Sequence, residues 1–424
     1  MMDGRQHRIG FVSTRLAGTD GVSLETAKWS SILMEMGHEC FFFAGESDRP
    51  EDRTFLVPEA HFQHPDIQAL STSLFNGYTR SSTTSGQVHA LRYYLKEKLH
   101  EFVQTFDLEL LVVENALSLP MNVPLGLGMT ELIAETGIPT IGHHHDFWWE
   151  RKRFAVSAAA DYLRAAFPPA LPSIHHVVIN SFGARQLALR TGDSSTLIPN
   201  VMDFESPPPE PDAHASRVRS ALGISSDEHL VLQPTRIVPR KRIEHAIELV
   251  HRLDSNCVLV VSHASGDEGH TYAEYLSEYA DIMGVRMLSA SDNIDYERGQ
   301  TPDGRDIFSL ADIYQQADLV TYPSSVEGFG NAFLETVYYC RPIVINTYEI
   351  FKTDIQPKGF KVIGFDDFIG GDCVRFARRV LHHPELAAEM TDYNYQLGRR
   401  YYSYSVLKNH LVALMSECLG STDS

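Results

Sequence analysis

A glycine-containing turn between a short apolar strand and a helix constrains this chain more than any other feature of its sequence. The residues from Asp318 to Pro323, DLVTYP, are largely apolar and β-branched and predict a buried strand. Glycines 328 and 330 allow a sharp turn, and NAFLETVYYC after them has helical spacing. The sequence therefore predicts a strand, a turn and a helix, the repeating unit of α/β folds.

The turn carries groups suited to an anionic ligand that is rich in hydroxyls. The first amides of a helix have no partner inside the helix, so the amides from Phe329 to Asn331 can receive a phosphate. Glu327 precedes the helix, Glu335 lies within it, and carboxylates accept hydrogen bonds from vicinal hydroxyls. We expect one to bind a sugar and the other a ribose. The alternative is that both are ordinary solvated glutamates.

A second strand-to-helix junction carries a cluster of cations. An apolar strand ends near Thr235, and a helix is predicted from about Ile243. The cations between them are Arg236, Arg240, Lys241 and Arg242. Charge-assisted bonds to phosphate are short and strong, so the cluster suits a diphosphate. A basic helix start without a ligand is the alternative, and it is mildly unfavourable because the cations oppose the helix dipole.

These two motifs resemble the signature of the family 4 glycosyltransferases. The family's P-S, two residues, E-G-F-G, four residues and E are matched by Pro323, Ser324, Glu327, Gly328, Phe329, Gly330 and Glu335. The family's G-R-L-x-P-x-K-G resembles TRIVPRKR, in which Thr235 and Arg242 replace glycines. Arg341 replaces a further glycine before Pro342.

The resemblance implies a GT-B fold, in which two Rossmann-like, doubly wound α/β domains face each other across a cleft. It also implies that Arg236 and Lys241 hold the donor diphosphate, that Glu327 contacts the transferred sugar and that Glu335 binds the ribose. The full set expected at the donor is Gly21, Arg236, Lys241, Glu327, Gly328, Phe329, Gly330, Asn331 and Glu335.

Gly21 belongs to the first βαβ unit of the chain. HRIGFVSTRLAGTDGVSLETAKWSSILMEMGHECFFFAG reads as a strand, a loop, a long helix and a strand. The loop resembles the family's G-G-V turn, with Asp20 in place of the first glycine. A glycine before a helix is usually only a turn, but ligands of doubly wound domains bind at this position. We expect Gly21 to let the acceptor or the leaving phosphate approach the backbone.

Three consecutive histidines lie in the next candidate motif, PTIGHHHDFWW. Side chains alternate along a strand, so His143 and His145 are expected on one side and His144 on the other. Family members often have H-D-Y/F-W here, with a histidine that contacts the donor sugar; ungapped alignment assigns this catalytic role to His145, with His144 as the runner-up. A structural cluster is an alternative, and so is a metal site of His143, His145 and Asp146. Without a second ligand cluster at a telling spacing, we predict no metal.

The segment after the histidines combines aromatic and basic residues. Aromatic rings pack on the C–H surfaces of sugars, and cations hold carboxylates or phosphates. Trp149, Arg151 and Arg153 are therefore predicted to bind the acceptor. A partly buried amphipathic segment without a ligand is an equally good interpretation.

The length of the chain indicates how many domains it forms. The 424 residues exceed what one core supports, so two domains are expected. The acceptor domain is placed at 1–198 with a terminal helix of about 400–424 crossing back to it, and the donor domain at 199–399. The proline-rich SPPPEPDAHA is predicted to be a stiff linker between them.

The net charge of −19 disfavours nucleic acid and anionic membranes as partners. The sequence shows no signal peptide or membrane-length apolar run. Its five cysteines, an odd number without paired spacing, fit reduced thiols. We predict a cytoplasmic protein without membrane insertion and leave its oligomeric state open.

Together with the resemblance, these features predict a retaining hexosyltransferase that forms an α-glycoside of a small polar acceptor. The donor is a nucleotide sugar, UDP-glucose or GDP-mannose, and no cofactor is required. A looser likeness is to synthases of mannosyl and glucosyl solutes. The alternatives are a nucleotide-sugar epimerase or phosphorylase of the same fold, and a non-catalytic protein that binds sugar nucleotides.

Overall fold

The structure, a computed structural model, describes residues 5–18, 20–253, 256–264, 270–295 and 297–420. The chain divides into two compact units, which we call unit 1 (Met1–Asn200 and Tyr404–Ser424) and unit 2 (Val201–Ser403). Parts of the predicted terminal helix (421–424) and of the predicted first domain (1–4) lie outside the described residues.

Unit 1 is built on one parallel sheet. Its strands are β1 (Arg8–Val12), β2 (Glu39–Ala44), β3 (Thr54–Leu56), β4 (Leu110–Glu114), β5 (Thr140–His144), β6 (Ile174–Val178) and β7 (Thr196–Leu197). They pair in the order β3-β2-β1-β4-β5-β6-β7 as a seven-stranded sheet. All five residues of β4 are buried, as expected for a strand covered on both faces. The strand order reverses between β1 and β4, where doubly wound folds bind their ligands.

Helices cover this sheet. They are α1 (Gly21–Glu35), α2 (Pro65–Phe75), α3 (Ser82–Phe106), α4 (Val123–Thr136), α5 (Ala160–Ala166), α6 (Ser181–Thr191) and α14 (Tyr404–Leu419). Helix α14 packs against α1 although it comes from the other end of the chain. The chain after β5 forms two single helical turns, Trp148–Glu150 and Lys152–Phe154.

Unit 2 contains a second parallel sheet. Its strands are β8 (His229–Gln233), β9 (Cys257–Val261), β10 (Met287–Ser289), β13 (Leu319–Tyr322), β14 (Ile343–Asn346) and β15 (Ile363–Phe365). They pair in the order β10-β9-β8-β13-β14-β15. A separate antiparallel pair is formed by β11 (Gly299–Gln300) and β12 (Asp306–Ile307). The predicted α/β class, with two Rossmann-like units, is confirmed.

The helices of unit 2 are α7 (Val218–Ala221), α8 (Ile243–Leu253), α9 (His270–Met283), α10 (Leu310–Gln316), α11 (Asn331–Tyr338), α12 (Gly371–His382) and α13 (Pro384–Tyr402). Helix α8 shows why local pattern reading succeeded, since Ile243, Ile247 and Val250 are all buried at helical spacing. Among the described helices, none combines the length and the apolar character needed to cross a bilayer.

The proline-rich segment, predicted to be a stiff linker between the domains, lies inside unit 2. The two units divide at Asn200, before the prolines begin. The carbonyl of Pro209 accepts a hydrogen bond of 2.8 Å from the Gln315 side chain, and Asp212 forms an ion pair with Arg298. These two bonds fix the segment to unit 2. The prolines have no amide hydrogen, but their backbone carbonyls can still accept hydrogen bonds.

Candidate active site

The two glycosyltransferase-like motifs of unit 2 meet at the ends of neighbouring strands β8 and β13. The backbone N–H of Ser325 donates to the carbonyl of Arg240 at 3.0 Å, and the Ser325 hydroxyl donates to the same oxygen at 3.1 Å. Parallel neighbours end at the same sheet edge, so residues far apart in sequence become adjacent. The predicted diphosphate cluster and the predicted sugar site are therefore one group of residues.

A buried ion pair lies at the centre of this group. Nζ of Lys241 donates to Oε1 of Glu327 at 2.5 Å, and Arg240 donates to Oε2 of the same carboxylate at 3.3 Å. The side chains of Lys241 and Glu327 are only 10% and 9% exposed. Burial alone would raise the pKa of Glu327, but Lys241 and Arg240 outweigh it and hold that pKa below its ordinary value.

Gly330 shapes the turn into α11. Its φ is +115°, and a Cβ at this position would lie 2.3 Å from the hydroxyl oxygen of Tyr348. That hydroxyl donates to the carbonyl of Phe329 at 2.6 Å. Only glycine fits here, both because of the backbone conformation and because of the close tyrosine.

The neighbouring predicted donor residues differ in what they can offer a ligand. Gly328 is exposed, and Asn331 begins α11 and is half-buried. The ring of Phe329 is buried against Tyr402, with ring centroids 5.3 Å apart. Phe329 can therefore contact a ligand only through its backbone, as the sequence argument assumed.

Glu335 is held by a buried tyrosine that belongs to none of the sequence motifs. The hydroxyl of Tyr314, on α10, donates to Oε2 of Glu335 at 2.9 Å. Tyr314 is fully buried, whereas Glu335 is half-buried. This bond fixes the carboxylate that is predicted to bind the ribose.

Thr235 and Arg242 replace glycines of the family motif, and the structure accommodates both. Arg242 has a φ of +48°, the conformation that glycine adopts most easily, and its guanidinium pairs with Asp367. Thr235 is buried, and its hydroxyl accepts from the Gln233 side chain at 2.7 Å. Arg236 is exposed and, among the described residues, has no ion-pair partner. Arg236 thus keeps its charge available at the edge of the group.

Unit 1 holds the histidine motif at the end of β5, and the predicted alternation is confirmed. His143 and His145 lie on the side of Glu114, at 2.9 and 3.2 Å from its Oε2 atom. His144 lies on the other side, where its Nε2 atom is 2.9 Å from Nδ1 of His176. Burial and the neighbouring His176 lower the pKa of His144 well below its ordinary value. His144 is 1% exposed, so His145 is the candidate that retains an accessible edge.

Glu114 is the functional candidate that the sequence analysis missed. It ends the apolar strand LLVVE and faces His143 across the β4–β5 pairing. A carboxylate at the end of an otherwise apolar strand, beside the strand that ends in histidines, was the available signal. Burial alone would raise the pKa of Glu114, but His143 and His145 lower it to about 2.

The geometry of this cluster also bears on metal binding. One ligand atom from each of Glu114, His143 and His145 lies within 4.8 Å of the others, which is close enough to hold a metal ion. Asp146, the ligand considered from sequence, instead pairs with Arg151. That no metal is required stays a prediction.

The amides at the start of α1, next to Gly21, are capped by the side chain of Asp20. Asp20 caps α1: its Oδ1 atom accepts from the amides of Val22 and Ser23 at 3.1 and 3.2 Å. Arg15 pairs with the same carboxylate at 3.0 Å. A phosphate approaching Gly21 would meet this carboxylate, so the predicted donor role of Gly21 gains no support from the geometry.

The three predicted acceptor residues lie in different surroundings. One face of the Trp149 ring stacks on Phe147 at 4.5 Å, and the Arg190 guanidinium lies over the ring at 5.2 Å. Phe147 thus leaves at most one face of the Trp149 ring for the stacking expected with a sugar. Arg151 pairs with Asp146, whereas Arg153 has no carboxylate partner among the described residues. Burial lowers the pKa of Arg153, with Arg151 adding to the effect.

No protein-family model matches the chain. Among proteins of known name, it is 32% identical to the mannosylglucosylglycerate synthase of Thermotoga maritima, an alignment that covers 95% of this chain and 98% of that protein. It is 34% identical to the mannosylglucosylglycerate synthase of Petrotoga mobilis over 84% of this chain and 86% of that one. The chain belongs to the mannosylglucosylglycerate synthase family.

Like the other members of the mannosylglucosylglycerate synthase family, this chain is a glycosyltransferase. Solved structures agree on the fold. The sucrose-phosphate synthase of Thermosynechococcus elongatus superimposes with a TM-score of 0.67 at 15% identity, covering 98% of this chain and 99% of that one. Anabaena HepE in complex with UDP and glucose gives 0.64 at 12%, covering 97% and 100%. This family member therefore has the GT-B fold.

Proposed function

We propose that this chain is a retaining hexosyltransferase that moves a sugar from a nucleoside diphosphate to a small polar acceptor and forms an α-glycoside. The donor we propose is GDP-mannose, with UDP-glucose as the alternative. The observation that carries the proposal is the Lys241–Glu327 ion pair, with Arg240, at the turn before α11. It puts a cation for phosphate and a carboxylate for sugar hydroxyls within bonding distance of each other.

Unit 2 supplies the donor-binding groups in this proposal. Lys241 and Arg236 bind the diphosphate, the amides at Gly330 and Asn331 add further donors, and Glu335 binds the ribose. The cations matter most late in the reaction, because negative charge grows on the diphosphate as the sugar–phosphate bond breaks. The burial of Lys241 strengthens its interaction with phosphate compared with water.

The transfer step needs no separate base among these residues. The bond between C1 of the sugar and the phosphate oxygen breaks, and its electron pair stays on the diphosphate. The acceptor oxygen bonds to C1, and its proton passes to the phosphate oxygen that has just been released. His145 of unit 1 contacts the transferred sugar in this proposal, as the family resemblance implies.

The acceptor follows from the names of the relatives and from one cation. Mannosylglucosylglycerate synthases are named for a product that contains mannose, glucose and glycerate. We therefore propose glucosylglycerate as the acceptor and mannose as the transferred sugar. The carboxylate of glucosylglycerate would pair with Arg153, whose exposed side chain places its guanidinium over the Phe154 ring and has no carboxylate partner among the described residues.

The direct test is a set of reactions that combines GDP-mannose and UDP-glucose with glucosylglycerate, glycerate and glucose. The proposal expects nucleoside diphosphate release and a new disaccharide glycoside with GDP-mannose and glucosylglycerate. The anomeric coupling constants of the product should show an α linkage. Release of free sugar phosphate, or interconversion of the sugar nucleotide without a glycoside, would contradict a transferase of this kind.

A further inference from the structure

We propose that Glu114 is a positioning residue of the transfer reaction, which acts by fixing the orientation and the tautomer of His145. The inference rests on the proposed function in one respect, namely that His145 contacts the sugar being transferred. It adds to that function a residue which no family motif in this sequence includes. The contacts of Glu114, His143, His145 and Asn115 carry the argument.

The burial of Glu114 calls for a reason. Its side chain is 0% exposed at the end of β4, and a buried carboxylate is costly unless ionic or hydrogen-bonding partners compensate it. Both histidines of β5 that face it approach the same oxygen, Oε2, at 2.9 and 3.2 Å. These two contacts are the partners that compensate the burial of the carboxylate, and they tie it to the histidines of β5.

The contact with His145 determines which nitrogen of the ring carries hydrogen. Nε2 of His145 lies 3.2 Å from Oε2 of Glu114. An ionised carboxylate only accepts hydrogen bonds, so Nε2 must carry a hydrogen in either protonation state of the ring. Among the described residues, no hydrogen-bond partner contacts Nδ1 of His145. Nδ1 is therefore the atom left for a substrate, as an acceptor in the neutral ring and as a donor in the charged one.

The backbone of His145 is fixed by the residue next to Glu114. The amide of His145 donates to Oδ1 of Asn115 at 2.8 Å, and Asn115 adopts a φ of +58° to make this contact. The two consecutive residues at the end of β4 thus hold both the main chain and the ring of His145. A group held in this way can be aimed to the accuracy that transfer chemistry needs.

His143 has a supporting part in the same cluster. Its ring stacks on Trp29 of α1 with centroids 4.3 Å apart, and it is 1% exposed. Buried on all sides, His143 has no route to a substrate. Its Nδ1 atom lies 2.9 Å from Oε2 of Glu114, and this contact helps to lower the pKa of that carboxyl against the effect of burial, so the carboxylate can accept from His145.

The first test leaves Glu114 unchanged. The histidine ring nitrogens of the full chain, labelled with nitrogen-15, report by NMR which nitrogen carries hydrogen, and the His145→Gln variant identifies the signals of His145. The proposal expects Nε2 to stay protonated across the pH range in which Nδ1 titrates. A neutral ring of His145 with its hydrogen on Nδ1 would overturn the proposal, whether or not the chain proves to be a transferase.

The second test uses Glu114→Gln, which keeps the size of the side chain and removes its charge. We expect kcat to fall by about 10-fold to 100-fold, the range seen when a partner that orients a metal-bound histidine is lost. Binding of GDP or UDP should stay within about 2-fold, because those ligands are assigned to unit 2. The His145 nitrogen signals should change in the same variant. A kcat equal to that of the wild type would overturn the proposal.

A matched control separates positioning from structural support. His176→Gln removes another buried histidine contact, that of His144, on the opposite side of the same strand. We expect it to lower the melting temperature without lowering kcat by more than about 2-fold. If both variants lower kcat in proportion to their loss of stability, Glu114 is a structural residue only and the proposal is wrong.

Discussion

Nζ of Lys241 lies 2.5 Å from Oε1 of Glu327, an ion pair between residues 86 positions apart in the sequence. Both charges are largely buried, and such a pair is maintained only because the partners compensate each other's loss of water. The same two residues are proposed to bind the diphosphate and the sugar. Donor binding must therefore exchange this contact for contacts to the ligand.

The ion pair predicts a specific pattern of stability. Lys241→Met leaves a buried carboxylate with Arg240 as its remaining partner and should cost about 3 kcal/mol of unfolding free energy. The double variant with Glu327→Gln should recover most of that loss, because no buried charge is left alone. Urea unfolding of the wild type, both single variants and the double variant measures this coupling.

An exposed ion pair of the same unit serves as the control. Lys352 and Asp366 are 2.9 Å apart but 41% and 73% exposed, so Lys352→Met should change stability by no more than about 0.5 kcal/mol. Additive stability losses of Lys241→Met and Glu327→Gln would contradict the assigned pairing.

The same cation predicts an effect on activity. Lys241→Met should lower kcat by about 100-fold or more, because it removes a positive charge that stabilises the negative charge developing on the phosphate.

The bond between Tyr314 and Glu335 predicts an effect on donor affinity. Tyr314→Phe removes only the hydroxyl that donates to Glu335, at a cost of about 1 kcal/mol. We expect the KM of the donor to rise about 5-fold with kcat nearly unchanged. Tyr339→Phe is the matched control, because that ring stacks on Tyr314 at 5.1 Å and its hydroxyl has no hydrogen-bond partner among the described residues. Equal effects of the two variants would mean that the hydroxyl of Tyr314 does not position Glu335.

The surroundings of Arg153 predict an effect on the acceptor. Arg153→Met should raise the KM of an acceptor that carries a carboxylate by about 10-fold or more, because a charge-assisted bond is lost. The KM of the donor should stay the same. Lys152→Met, which removes an exposed cation next in the chain, should leave both values unchanged. If an uncharged acceptor such as glucosylglycerol is affected equally by Arg153→Met, the guanidinium does not bind the carboxylate.

Glu114 predicts a dependence of stability on pH. Its pKa in the folded protein is about 2, below the ordinary value of 4.5. A depressed pKa stabilises the fold above the ordinary pKa, and the contribution is lost as the pH falls from about 4.5 towards about 2. Unfolding curves at several pH values should show wild type and Glu114→Gln converging in stability over this window. A difference that stays constant down to pH 3 would mean that the Glu114 charge adds nothing to the fold.

The sequence was sufficient for the features that depend on local pattern. The strand–turn–helix around Gly330 follows from apolar runs and glycine spacing, and α8 begins at Ile243 as predicted. The alternation of the three histidines follows from strand geometry alone. These features need no knowledge of which strands become neighbours.

Contacts between residues far apart in the sequence could not be predicted from local pattern. The pairing of Glu114 with His143 requires β4 and β5 to be neighbours, and the pairing of Lys241 with Glu327 requires the same of β8 and β13. The position of the proline-rich segment within unit 2 depends on contacts of the same kind, since its carbonyls and Asp212 find partners about 100 residues later. Asp20 was noted as a replaced glycine, but its capping of Val22 and Ser23 appears only in the folded structure.

A crystal structure with GDP or UDP tests whether unit 2 binds the nucleotide part of the donor. We expect diphosphate oxygens at hydrogen-bonding distance from Nζ of Lys241 and from the amides at Gly330 and Asn331, with the ribose hydroxyls on Glu335. A nucleotide bound away from these residues would contradict it.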